Sequence, residues 1–62
     1  MMWMSILLKK FKEDDPFWVV GKIYIVAKYA KDQVKVSDGV GRYTVLDKYQ
    51  ARNIFAKPEW IE

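Results

Sequence analysis

The chain contains no cysteine and no histidine in its 62 residues, and only three glycines and two prolines. Without cysteine there are no disulfide staples and no thiolate zinc sites, and without histidine there is no imidazole chemistry. The usual nucleophile and general-base pairs are therefore missing, and the chain is read as a non-enzyme that needs no cofactor. No apolar run approaches the ~20 residues that span a bilayer. The opening MMWMSILLKK places its lysines after the apolar run and has no small-residue cleavage site, so it does not read as a signal peptide. A buried strand is the expectation there, with no membrane contact, and the absence of cysteine fits a reducing cytoplasm.

What the chain has is aromatic mass. Three Trp, four Tyr and three Phe are many for this length, and each ring can bury roughly 150–250 Å². A single small domain spanning residues 1–62 is expected, since so short a chain cannot support two cores. The formal charge is +3. In residues 1–15, Lys9, Lys10 and Lys12 balance Glu13, Asp14 and Asp15, and residues 38–62 balance four against four. The excess lies in residues 16–37, where Lys22, Lys28, Lys31 and Lys35 face only Asp32.

Met2 to Phe11 reads as a first strand, and Lys12 to Pro16 as a charged loop that its proline closes. In FWVVGKIYIVAKYA the density of β-branched and aromatic residues indicates a second strand. At period two this strand divides into Ile23, Ile25, Ala27 and Tyr29, taken as the core face, and Lys22, Tyr24, Val26 and Lys28, taken as the outer one. A turn at Asp32–Gln33 leads to VKVS, with Val34 and Val36 inward and Lys35 outward. DGVG then separates VKVS from RYTVL, where Tyr43 and Val45 are expected inward and Arg42 and Thr44 outward.

The two glycines of DGVG raise the question of a phosphate loop. A dinucleotide fingerprint needs a third glycine and an immediate helix, and a Walker loop needs Gly-Lys-Ser/Thr. Neither is present, so the stretch is read as a hairpin turn. Further on, Asp47 with Gln50 three residues later has capping-box spacing, with Leu46 and Ala51 as the matching staple. The helix it starts is expected to end within two turns, before Pro58. EWIE would supply a closing strand.

A long second strand, two hairpins, a helical turn and a short last strand resemble the Src-homology-3-like small barrels. The residues that carry the likeness are GKIYIVAKY, VKVSDGVGRYTV and YQARNIFAKPEWI. The resemblance implies a mostly β, five-stranded SH3-like barrel with one short helical turn before the last strand. The acidic, aromatic ALYDY-like stretch and the groove tryptophan pair of the peptide-binding members are missing, so proline-rich ligands are not implied. The layout is also similar in style to tiny phage-encoded proteins with a GK-x-Y-x-V strand before a D-x-x-G hairpin, which implies a regulator or inhibitor of another protein.

Candidate site residues follow from the expected outer face. Glu13, Asp14 and Asp15 could offer oxygen ligands to a divalent cation, although a solvated loop explains them more simply. Lys22, Lys28, Lys35 and Arg42 around Tyr24 would suit single-stranded nucleic acid, cations following phosphates and the ring stacking on a base. The alternative is an ordinary solvated face whose lysines protect strand edges. Trp18 and Trp60, with Trp3, are candidates for an exposed protein-binding anchor, against the alternative that all three are core. A protein partner is the first expectation and single-stranded DNA or RNA the second, with the chain a monomer or a homodimer.

Overall fold

The computed structural model of the chain describes residues 2–57. It is mostly β: β1 (Met2–Ile6), β2 (Ile23–Lys28), β3 (Gln33–Ser37), β4 (Tyr43–Asp47) and one helix, α1 (Lys48–Ile54). The strands form one antiparallel meander in the order β1-β2-β3-β4. Both hairpins form where their turn residues allow. Asp32 takes a left-handed φ of 59° between β2 and β3, with the Gln33 N–H donating to the Ala30 carbonyl at 3.0 Å. At the β3–β4 turn Gly39 has a φ of 83°, and the Asp38 carboxylate accepts from the Val40 and Arg42 N–H groups at 2.8 and 3.2 Å. The glycines of DGVG thus serve the turn, as its flanks indicate.

Register decides which side of the sheet is core. Val36 pairs with both Val26 and Thr44, and Val34 pairs with Leu46. Paired residues share a face, so Val34 and Val36 inward bring Tyr24, Val26, Thr44 and Leu46 inward with them. All of these are buried, together with Leu7, Trp18, Ala51, Ile54 and Phe55. This corrects the expected faces of β2 and β4. Tyr24 and Val26 are core, whereas Ile23 and Tyr29 are exposed and Ile25 and Ala27 only half-buried. Likewise Thr44 is buried, while Tyr43 is exposed and Val45 half-buried. Both faces of β2 are apolar enough to be core, so its alternation alone could not choose between them. The lysines that marked one face as outer stand at the strand's ends, where long side chains escape to water.

The helix forms as its cap predicts: Asp47 accepts from the Gln50 N–H at 2.8 Å, and Leu46 and Ala51 are both buried. It ends at Phe55, whose backbone is extended and whose N–H donates to the Ala51 carbonyl. Beyond it the chain meets β1 in an isolated antiparallel bridge, Leu7 to Phe55. Around that bridge the Leu8 N–H donates to the Ile54 carbonyl at 2.7 Å and the Ala56 N–H to the Ile6 carbonyl at 3.0 Å. This is the extent of closure among the described residues: the sheet is open and four-stranded, not a closed five-stranded barrel. The closing strand expected over residues 58–62 lies outside the described residues. The first strand is also shorter than expected, because past Ile6 the pairing with the β2 side becomes irregular: the Leu7 N–H donates to the Lys22 carbonyl at 3.0 Å, while the Leu7 carbonyl accepts from the Gly21 N–H at 2.8 Å.

Candidate functional site

The segment between β1 and β2 folds over one end of the core and carries Trp18, which packs on Tyr24 of β2. Trp18 sits between Phe11 and Tyr24, with ring centroids 5.9 and 5.3 Å away. Its Nε1–H donates to Asp15 Oδ2 at 2.9 Å, while Asp15 Oδ1 accepts from the Phe17 N–H. Tyr24 is 1% exposed. Its hydroxyl donates to the Phe17 carbonyl at 2.9 Å and accepts from the Val19 N–H at 2.7 Å. Tyr24 is not the exposed aromatic expected from the sequence, and of the two positions open to Trp18 the structure has the core one. Both pin the loop to the core, and the polar tip that made Tyr24 read as a surface residue is satisfied by that loop's backbone. Asp15 is likewise spent on loop bonds, and among the described residues no three acidic side chains cluster to hold a metal ion.

The basic residues do not share one face. Lys22 and Lys28 lie at opposite ends of β2, about 20 Å apart at ~3.3 Å per residue. Lys22 Nζ approaches the Tyr24 ring at 5.7 Å. Lys35 points to the other side of the sheet, where its Nζ lies 4.4 Å from the Tyr43 ring centre. Arg42 stacks on Phe17, its guanidinium carbon 3.1 Å from the ring centre. Close by, the Asp38 carboxyl is held below its ordinary value, chiefly by the Val40 N–H; desolvation opposes this, and the Arg42 N–H and the charges of Arg42 and Lys22 add to the lowering. Trp60 lies outside the described residues, and Trp3 is half-buried within β1, opposite Val26.

Sequence reasoning missed the side of the sheet away from the helix. Register places Met2, Met4 and Ile6 of β1 beside Ala27, Ile25 and Ile23 of β2, followed by Lys35 and Ser37 of β3 and Val45 and Tyr43 of β4. No described element covers this side. Met2, Met4, Ile6, Ile23 and Tyr43 are between 41% and 75% exposed. Along its β1 side runs a groove of about 470 Å³ lined by Trp3, Met4, Ser5, Ile6, Ile23, Ala56 and Lys57. The signal that could have found it is the apolar content of both faces of β1 and β2, since one helix covers only one side of a sheet.

No protein-family model matches the chain, and neither a curated protein nor a solved structure does. Among the described residues no helix is long and apolar enough to cross a membrane.

Proposed function

We propose that this domain is a non-catalytic binding module, a regulator or inhibitor that acts from the cytoplasm by contact with another protein. The observation that carries the reading is the uncovered apolar side of the sheet. From strand spacing and rise, the whole side has a plan area of about 19 by 17 Å, roughly 320 Å², with Lys35, Ser37 and Asp47 set among its apolar side chains. A contiguous apolar patch of ~300–600 Å² is the largest that soluble monomers usually show, and such patches are often functional. The phage-type regulatory role belongs to the same reading and rests on the likeness of the GK-x-Y-x-V strand and the D-x-x-G hairpin in the sequence.

A photo-crosslinking residue placed at Ile23, on the open face, is expected to give a protein adduct in the native host. The same residue at Tyr49, exposed on the helix, is expected to give none. An adduct at Tyr49 alone, or none at either position, would sink the reading. Adducts that nuclease removes would turn it to single-stranded nucleic acid at Lys22, Lys28, Lys35 and Arg42. Binding there would weaken with salt at a log–log slope of about −3 to −4 for four phosphate contacts. The dispersal of those four residues over both sides and both ends of the sheet supports the protein reading over this one.

A further inference from the structure

The open face has a charge pattern as well as an apolar one. Lys35 stands inside it, paired across the strands with Ala27 and Val45, its half-buried stem among apolar neighbours and its ammonium against Tyr43. Lys57, in left-handed backbone with a φ of 55°, lines the groove on the opposite side with Met4, Ile6 and Ile23. The apolar ridge of Met4, Ile23 and Ile25 thus runs between two cations. The strand-borne carboxylate on this side is Asp47, and it is engaged by the Gln50 N–H. Among the described residues the one ion pair is Lys48 to Asp32, at 3.0 Å, so neither Lys35 nor Lys57 has a described carboxylate partner.

The size of the face points to a slender occupant. The plan area of roughly 320 Å² suits one slender element, and a second copy would bring the same Lys35 and Lys57 and only the already engaged Asp47 to the face, so charge disfavours self-pairing. A helix is ~10 Å across and rises 1.5 Å per residue. About 11–12 helical residues therefore run the ~17 Å length of the strands, with room for side chains on both flanks. Covering a sheet with a helix is also the standard solution for an unburied sheet face.

Resting on the protein-binding reading above, we infer that the open face docks an amphipathic helix of another protein, one whose apolar stripe is bordered on both sides by acidic residues that meet Lys35 and Lys57. The stripe covers Met4, Ile23 and Ile25. The borders supply the counter-charges that the face lacks, and like charges at the same places would be rejected.

The test uses a displayed library of 18-residue helical peptides with the apolar stripe fixed and the border positions varied, selected on the full chain. Glu and Asp are expected to be enriched at both borders. The selected peptides should bind the Lys35→Glu, Lys57→Glu double variant about tenfold more weakly or worse. Lys35→Met, which keeps the stem and removes the charge, should cost a severalfold loss. Enrichment of neutral or basic borders, in peptides that still lose binding with Ile23→Asp, would overturn the acidic partner and leave the docking face standing. Recovering no binders, or only binders indifferent to Ile23→Asp, would overturn both. A concentration-dependent dimer in sedimentation that Ile23→Asp returns to monomer would make a second copy the occupant and overturn the helix.

Discussion

Tyr24 links the core to the loop that precedes β2. Its ring is packed under Trp18, and its hydroxyl bridges the Phe17 carbonyl and the Val19 N–H. Tyr24→Phe keeps the ring and leaves both backbone groups short of a partner. Such a loss costs about 1–2 kcal/mol when solvent only partly replaces it. Urea unfolding should show the unfolding free energy falling by that amount, seen as a lower midpoint with an unchanged slope. A midpoint equal to that of the wild type would mean that water substitutes for the hydroxyl and that the loop is held by Trp18 and Asp15 alone.

The β3–β4 hairpin owes part of its stability to the charge of Asp38. The carboxylate accepts two backbone N–H groups and lies near Arg42 and Lys22, so its folded pKa falls below the ordinary 3.8. A depressed carboxylate pKa adds stability that is fully present above the unfolded value and is lost as pH falls through the folded one. Asp38→Asn should therefore be less stable than the wild type at pH 6, and the gap should narrow as pH falls below about 4. Unfolding curves for the two proteins at pH 6 and pH 3 measure this. A gap that is constant across both would show that the hairpin uses Asp38 for its turn geometry and not for its charge. The helix needs no such charge. Its seven residues begin at the Asp47 cap and bury Ala51 and Ile54 against the sheet, and packing of this kind stabilises a helix too short to form alone.

For the molecule as a whole, the assignment of core and open face to the two sides of one sheet is the statement on which the functional reading depends. Val26 is fully buried and Ile23 about half-exposed, three positions apart on the same strand. Val26→Ala should cost about 2 kcal/mol from lost methyl burial and the cavity left behind. Ile23→Ala, although it removes more atoms, should cost well under 1 kcal/mol. Thermal or urea unfolding of the two variants compares them directly, and the reverse order would place the core on the wrong side of the sheet. If Ile23→Ala holds its stability and still loses the crosslinked partner, binding and folding are separated on one strand.

The elements themselves were legible in the chain. Turn chemistry at Asp32 and at Asp38–Gly39, the Asp47 cap with its Leu46–Ala51 staple, and β-branched density in β2 and β3 are local signals that act over a few residues. They placed both hairpins and the helix. The lack of cysteine and histidine is equally local and limits the chemistry without any fold. The choice of face was decided only in three dimensions, because Ile23–Ile25–Ala27 and Tyr24–Val26 are both apolar and differ by one step of a two-residue repeat. It was made by the cross-strand pairing of Val26, Val36 and Thr44, and by a loop carbonyl and N–H that satisfy the Tyr24 hydroxyl from seven and five residues away. That same pairing separated Lys35 from Lys22 and Lys28 and set it between Ala27 and Val45 on the open face, its ammonium over Tyr43. The chain alone thus specified which strands and turns form, and tertiary pairing, which adds long-range partners that no local pattern contains, decided which side of them is core and which is left open.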